Sequence, residues 1–238
     1  MRAPRPDAPH VALAVLTMHW RQQTLVHWPC PPEAVQALLP PGLRVDVFDG
    51  AAWVSLTPFV MRSVRALRVP LPPPTFAETN LRTYARLPDG RRGLWFFSLD
   101  VSQPLMLAAR AIAVPYHLAA LTVRTRGPDV CYAGRRRHGD ASYRLRVRPG
   151  PPLARPGPLD DWLTHRWAAF SHRAGRLWLT PVEHEPWRLR GGTVLELSQN
   201  LTRSAGLPDP EGEPLVHTSP GVGPVRLGLP RPVAGPAV

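Results

Sequence analysis

The sequence predicts an α+β domain that is mainly antiparallel β and has one core, arranged as a β-barrel or a curled sheet. Three observations predict this class. The chain has 238 residues, of which 44% are hydrophobic, and eight tryptophans, which suits a packed core. Proline is the outlier with 32 residues, about 13% of the chain, and proline is disfavoured in helix interiors and central strands. Turn signals recur at short intervals, which is typical of many short strands.

The first half of the chain predicts five strands and one short helix. Two prolines before Glu33 place proline in the first turn of the helix, where its missing N–H costs nothing. Asp49-Gly50 and Asp89-Gly90 are turn pairs that predict hairpins between the strands on either side. The strands are predicted at 11–18, 43–47, 52–61, 77–86 and 93–99.

The second half predicts two more helices and further strands. Ser102 can cap a helix over 103–113, which Pro115 ends, and an apolar stripe predicts a helix over 159–170. Strands are predicted at 118–126, 129–137, 141–148, 176–184 and 193–198. We interpret residues 11–228 as a single domain, and the proline-marked segments 1–10 and 229–238 as loose tails.

All 29 basic side chains are arginines, against 17 acidic ones, so the formal charge is +12. The absence of lysine excludes an imine to a protein side chain, because arginine cannot act as the nucleophile. The arginines are spread along the chain apart from the tract 135–138, and no nucleic-acid-binding motif accompanies them. We therefore expect no specific nucleic-acid partner. An arginine-driven polyanion binder remains one alternative, and it requires the basic side chains to cluster on one face.

The remaining composition favours a protein without metal or membrane span. Cys30 and Cys131 are too few for a disulfide framework, so a reduced cytoplasm is expected. The apolar run 11–18 is too short to span a membrane, and we expect no membrane partner. We expect no metal site, because Glu183-His184-Glu185 on a strand points His184 away from both acids. No cofactor is expected.

The predicted strand 77–86 carries four polar side chains on one face. Residues two apart in a strand share a face, so Glu78, Asn80, Arg82 and Tyr84 point the same way. The opposite face is small or apolar. Such a polar row is costly to bury unless its members satisfy one another or face a cavity. It is compatible with a solvent-exposed face, and it also suits the inside of a small barrel that binds a polar ligand.

The partner strand of this hairpin adds two polar candidates. By the same alternation, Ser98 and Asp100 share a face with Phe96. Asp100 can form a bidentate pair with an arginine, and Arg82 and Arg110 are the candidates.

Several segments together resemble the uncharacterised DUF2071 (YqjF-like) family over roughly residues 18–229. They are FAETNLRTY, GLWFFSLD, Arg110, VPYH, LTHRW, LTPVEHEPW and SPGV. That family is distantly similar to acetoacetate decarboxylase, which implies a cone-like antiparallel β-barrel with a ligand cavity. The resemblance places Glu78 at the position of that enzyme's active-site glutamate. It also places Pro115-Tyr116-His117 where that enzyme carries its Schiff-base lysine, so this chain departs from the pattern at the reactive residue.

These observations predict a cytoplasmic small-molecule-binding protein, which can also be an acid–base enzyme on a small polar or anionic metabolite. Glu78 and His117 are the candidate catalytic residues, because either can move a proton. A non-catalytic ligand sensor or interaction module with the same cavity is the alternative. Exposed barrel edges or apolar helix faces could pair copies of the chain into a homo-oligomer. The candidate ligand-binding residues are Asn80, Arg82, Tyr84, Ser98, Asp100, Arg110 and Tyr116.

Overall fold

The structure is a computed structural model, and it describes residues 10–112 and 114–233. Strands dominate this part of the chain. They are β1 (Ala14–Cys30), β2 (Arg44–Val45), β3 (Ala52–Ala66), β4 (Val69–Pro70), β5 (Thr75–Arg86), β6 (Arg92–Val101), β7 (Tyr116–Arg126), β8 (Asp129–Arg136), β9 (Ser142–Pro152), β10 (Ala168–Arg173), β11 (Arg176–Glu183), β12 (Arg190–Gln199), β13 (Leu215–Gly228) and β14 (Arg231–Pro232). The helices are α1 (Pro32–Gln36), α2 (Pro158–Thr164), α3 (Leu201–Ser204) and a 3-10 helix (Pro104–Ile112).

The strand pairings close two rings that share five strands, β6, β5, β3, β1 and β13. In the first, which we call the large ring, β7, β8, β9 and β12 connect β6 back to β13. In the second, the small ring, β10 and β11 make that connection. Two of these pairings, β6–β7 and β6–β10, are parallel, and the others in the rings are antiparallel. The architecture confirms the expected mainly antiparallel α+β class.

The two rings enclose different interiors on opposite faces of the shared strands. The large ring holds an apolar cluster that includes Leu56, Leu81 and Leu145. The small ring holds a second cluster that includes Phe59 and Leu99. Because side chains alternate along each shared strand, neighbouring residues such as Leu81 and Arg82 enter different rings.

The structure corrects three of the element predictions. Asp49-Gly50 does not join a hairpin, because β2 pairs with β5 and only one isolated bridge, Phe48 to Ala51, spans the turn. The helix expected over 159–170 ends at Thr164, and its last part forms β10. The segment 103–113 is a 3-10 helix rather than an α-helix, as far as Ile112.

A long strand, β13, was not predicted at all, although it belongs to both rings. It contains Pro220, Pro224 and several glycines, which indicate breaks rather than strands in a sequence pattern. At the end of the described chain, β14 pairs with β11, so part of the segment expected as the loose tail 229–238 belongs to the sheet. The tail predictions for residues 1–9 and 234–238 lie outside the described residues.

Candidate functional site

The polar face of β5 lines a cavity of about 520 Å³ in the small ring. β5 pairs with β3 so that Glu78 is opposite Phe59 and Asn80 is opposite Thr57. These four side chains and Arg82 all contribute to the cavity wall. The structure thus places three of the four residues of the predicted polar row around one enclosed space. Its volume is within the range of small-molecule sites, about 300–1,000 Å³.

Arg82 is a cation without an anionic partner in this cavity. Among the described residues no carboxylate forms an ion pair with it, and its Nε has no hydrogen-bond partner. Its guanidinium contacts the Tyr84 hydroxyl, and burial lowers the pKa of the guanidinium from its ordinary value. An arginine nevertheless remains charged at neutral pH. The cavity wall therefore presents an uncompensated positive charge.

Other polar atoms of the wall share this lack of partners. The buried atoms without a partner include Trp20 Nε1, Asn80 Oδ1 and Arg166 Nη2, and all three residues line the cavity. Buried polar atoms are nearly always hydrogen-bonded in proteins, so several unpartnered atoms around one space suit the binding of water or of a polar molecule. With Arg82 Nε, the described residues of the cavity wall have four such unpartnered atoms. Three of the four are hydrogen-bond donors, which favours a molecule rich in acceptors.

Glu78 and Tyr116 form a buried pair further along the cavity. The Tyr116 hydroxyl donates to Oε2 of Glu78 over 3.2 Å, and both residues line the cavity. Burial raises the pKa of Glu78 to about 8, although hydrogen bonds from Tyr116 and Asn80 oppose the shift. Burial also raises the pKa of Tyr116 well above its ordinary value. At neutral pH Glu78 is therefore mostly a neutral acid that can donate a proton, and its minor ionised form can accept one.

Arg110 supports this pair from outside the cavity. Its Nε donates to the main-chain carbonyl of Tyr116 over 2.6 Å, and its side chain is exposed. Arg110 does not line the cavity. Its guanidinium fixes the backbone at Tyr116, and its predicted role as a ligand-binding residue stays a prediction.

Arg166 is a cavity residue that sequence reasoning missed. It pairs with buried Asp46 over 2.8 Å, and its guanidinium lies 4.3 Å above the Trp162 ring. Arg166 lies two residues after the end of α2, in a segment that we predicted as the middle of a helix. The sequence contained no signal for its burial, because its acid partner lies 120 residues away.

An aromatic wall was also missed. Trp20 stacks on Trp187 with ring centroids 5.8 Å apart, and His184 packs against both rings. Burial lowers the pKa of His184 to about 4, so this histidine is neutral at pH 7. The prediction that His184 points away from its two acidic neighbours is compatible with its position in the cavity wall.

A hydrogen-bonded polar chain continues from Arg82 toward the surface. Tyr84 is fully buried and does not line the cavity, so it is not brought together there with Glu78, Asn80 and Arg82. Its hydroxyl bonds to Ser55 over 2.8 Å, and Ser55 bonds to His27 Nδ1 over 2.7 Å. His27 then reaches His217 over 3.2 Å, and His217 reaches the carboxylate of Asp160 over 2.9 Å.

The two ends of this polar chain fix its direction. Arg82 can only donate, and the carboxylate oxygens of Asp160 accept. Burial lowers the pKa of both His27 and His217, so each carries one N–H. The hydrogen bonds therefore run from Arg82 to Asp160, and they hold Tyr84 with a lone pair toward the guanidinium. Arg82 is oriented in this way while its Nε stays free.

Ser98 lies on the other side of the sheet because β6 has a β-bulge. Ser98 pairs with Leu81, whereas Phe96 pairs with Arg82, so Phe97 is an extra residue between them. This bulge turns Phe96 into the cavity and Ser98 toward the large ring. The predicted shared face of Ser98 and Phe96 was wrong, because a bulge reverses the alternation at that point.

Asp100 and His117 are on the same side as Ser98, away from the cavity. They are opposite each other in the β6–β7 register, and the arginine that binds Asp100 is Arg136, over 2.8 Å. Neither Arg82 nor Arg110 fills that role. Burial lowers the pKa of His117 to about 4, with Arg136 and Arg110 adding to the shift. The two residues predicted as catalytic, His117 and Glu78, therefore lie on opposite faces of the sheet, and only Glu78 lines the cavity.

Within the described residues, no group of three or more His, Cys, Asp or Glu side chains could hold a metal ion. None of the helices described is both long and apolar enough to cross a bilayer.

Comparisons with solved structures establish the fold. The enduracididine biosynthesis enzyme MppR, complexed with pyruvate, aligns with a TM-score of 0.65 at 16% identity, over 96% of this chain and 95% of that chain. An acetoacetate decarboxylase-like enzyme from Sphingomonas wittichii RW1 aligns with a TM-score of 0.60 at 21% identity, over 93% and 94% of the two chains. At these identities the likeness shows a shared fold alone, which confirms the acetoacetate decarboxylase-like architecture.

Comparisons with protein sequences establish the family. The uncharacterized protein YqjF of Bacillus subtilis (strain 168) is 33% identical over 211 residues, which cover 85% of this chain and 86% of YqjF. The profile of DUF2071, described as an uncharacterized conserved protein, matches residues 17–223. The resemblance inferred from the sequence is therefore confirmed: the chain belongs to the DUF2071 family.

Proposed function

We propose that this protein binds a small carboxylate in the small-ring cavity, with Arg82 as the partner of the anion. The single observation that carries the proposal is the unpaired guanidinium of Arg82 in the cavity wall. A guanidinium matches the geometry of a carboxylate and forms strong charge-assisted hydrogen bonds with it. Arg166 has a free Nη2 in the same wall and adds a second donor to the site.

The fold neighbours support the choice of a carboxylate. MppR, which shares the fold, is complexed with pyruvate in its structure, and pyruvate is a small carboxylate. A Schiff-base mechanism is not available to the chain presented here, because it contains no lysine. Binding in our proposal is therefore non-covalent.

Glu78 is the residue that we assign to proton exchange with the bound molecule. It lies four residues before Arg82 on β5, a separation of about 13 Å along a strand. Glu78 and Tyr116 thus meet a part of the molecule remote from its carboxylate. An enzyme and a sensor differ in whether the bound molecule is converted, which NMR spectra of each binding carboxylate would show. Conversion that disappears in Glu78→Gln supports an enzyme, and unchanged spectra support a sensor.

We place this binding in the cytoplasm. Cys30 and Cys131 are free thiols in the structure, in accord with a reducing compartment.

Titration calorimetry with acetate, pyruvate and butanoate tests the proposal. We expect these acids to bind and the uncharged butanamide to bind at least 100-fold more weakly, because only the anion pairs with Arg82. Arg82→Met should lower butanoate affinity about 100-fold. The matched control is Arg86→Met, which removes an exposed arginine from the same strand and should change nothing. Equal binding of acid and amide, or an equal loss in both variants, would overturn the proposal.

A further inference from the structure

We propose that the ligand is an elongated amphipathic carboxylate, with its head at Arg82 and Arg166 and an unbranched aliphatic chain that extends past Glu78 to the cavity mouth. This inference rests on the proposed function and adds the class of molecule. Three observations carry it: the order of residues along the cavity, the closure of one end and the apolar character of the other.

The register of the shared strands gives the order of residues along the cavity. Arg82 is at one end, Asn80 and Glu78 follow, and Met61 of β3 lines the cavity beyond them. From Ser55, which is opposite Arg82, to Met61 the strand β3 advances by six residues, or about 20 Å. The cavity is therefore elongated along β5, and a molecule as short as pyruvate would fill only a part of it.

The end with the two arginines is closed. Tyr84 and Leu163 are fully buried next to it and pack with Trp162 in one cluster. Arg166 is held in place there by Asp46. An anionic head group at Arg82 is therefore enclosed, and the rest of the molecule must extend in the opposite direction.

The wall beyond Glu78 has no charged side chain and is mainly apolar, apart from the indole N–H of Trp20. Among the described lining residues, the acidic and arginine side chains are Glu78, Arg82 and Arg166 alone. Past Glu78 the wall contains Met18, Met61 and Met106, three of the four methionines in the sequence. Methionine is flexible and polarizable, so it adapts to irregular apolar shapes. Such a wall suits a flexible hydrocarbon chain and offers no partner to a second charge. Glu78 is mostly neutral at pH 7, so the chain can pass it without meeting a full charge.

The mouth of the cavity is surrounded by exposed aliphatic side chains. Of the six large hydrophobic residues found exposed in the described chain, five line the cavity or lie within two residues of one that does, and Val47 is the exception. Leu105 lines the cavity directly. Val15 also lines the cavity, and its main-chain carbonyl accepts a hydrogen bond from the main-chain N–H of Leu67. The five are Leu13, Leu67, Val69, Leu105 and Leu229. The apolar path thus continues from Glu78 to the protein surface.

The expected effect follows from the burial of methylene groups. Each methylene moved from water into an apolar site contributes about 0.8 kcal/mol, or about a fourfold gain in affinity. We therefore expect affinity to rise about fourfold per methylene along a series of straight-chain monocarboxylates. The gain should stop when the chain reaches the aliphatic rim, because further methylenes stay in water.

Titration calorimetry with the acids from butanoate to dodecanoate, below their micelle concentrations, tests the inference. The blocking variant is Ala66→Trp, since Ala66 lines the cavity at the level of Leu16, next to the mouth. It should remove the gain for long acids and leave butanoate unchanged. Ala120→Trp, at an exposed position on β7, is the matched control and should behave as the wild type.

The outcomes separate the two proposals. A flat series in which butanoate binds as well as dodecanoate overturns the elongated ligand, while binding by Arg82 stands. A rising series that Ala66→Trp does not change also overturns it, because the chain then lies elsewhere. If none of the acids binds, or if Arg82→Met binds them all normally, the proposed function itself fails.

Discussion

The two faces of β5 show how one strand can separate a filled space from a hollow one. On the large-ring face, Thr79 bonds to the Tyr143 hydroxyl over 2.6 Å, and Leu81 is buried in the core. On the small-ring face, Asn80 and Arg82 each keep a buried polar atom without a partner. The comparison indicates that the small-ring interior, although it holds its own apolar cluster, is packed less completely beside Asn80 and Arg82 than the large-ring interior is beside Leu81. This incompletely packed space is available for a ligand.

The first way to test this comparison is a pair of leucine truncations. Leu81→Ala should destabilise the protein by about 2–5 kcal/mol, because it opens a void in a packed core. Leu99→Ala on the neighbouring strand should cost less, because Leu99 already borders the cavity. Thermal unfolding measures both, at roughly 2–4 °C per kcal/mol for a chain of this size. Equal losses in the two variants would indicate that the small ring is packed as tightly as the large one.

The second test compares two arginines of the cavity wall. Arg166→Met should cost about 3 kcal/mol, because it leaves the buried carboxylate of Asp46 with only the exposed Arg92 at 3.5 Å. Arg82→Met should cost little stability, since no described carboxylate depends on Arg82. Chemical denaturation of both variants checks the difference. A large loss for Arg82→Met would show that its guanidinium is structural and not reserved for a ligand.

The third test measures the stability of the protein in acid, because the buried histidines lie on the small-ring face of the shared strands. The pKa of His184 is about 4 in the folded protein and about 6.5 when unfolded, so the unfolded chain takes up the proton first. Stability should therefore fall as pH drops below 6.5, by about 2 kcal/mol at pH 5 from His184 alone. Unfolding curves of wild type and His184→Gln measure this contribution. The assignment fails if the variant keeps the full acid sensitivity.

The smallest expected effect concerns carboxylate binding at alkaline pH. Burial raises the pKa of Glu78 to about 8, so the carboxyl ionises in the folded protein as pH rises through that value. A negative charge about 13 Å from the bound carboxylate should weaken binding about tenfold. Glu78→Gln cannot ionise and should bind equally at pH 7 and pH 9. Binding that does not change with pH in the wild type would mean that Glu78 lies too far from the anion to affect it.

Local patterns in the sequence predicted much of the shared sheet. The Asp89-Gly90 hairpin and the alternation along β5 depend on neighbouring residues, and both are present in the structure. The strand β13 was missed because Pro220 and Pro224 indicate turns, and only long-range pairing with β1 makes this segment extended. Residue propensities do not reveal a strand that forms only because distant segments of the chain pair with it.

The candidate site was predictable only where its residues share one strand. Glu78, Asn80 and Arg82 follow from strand periodicity, whereas Arg166 comes from a distant segment. The placement of His117 was wrong, because adjacent strand residues face opposite sides and Tyr116 takes the cavity side. Which of Tyr116 and His117 faces the cavity could not be derived without the pairing of β6 with β7.

A crystal structure of the protein grown with butanoate would show whether Arg82 holds the anion. We expect the butanoate carboxylate within hydrogen-bonding distance, about 3 Å, of the Arg82 guanidinium, with its carbon chain directed toward Glu78. Side chains that fill the space next to Arg82, or butanoate bound instead near Asp100 and His117 on the other face, would contradict it.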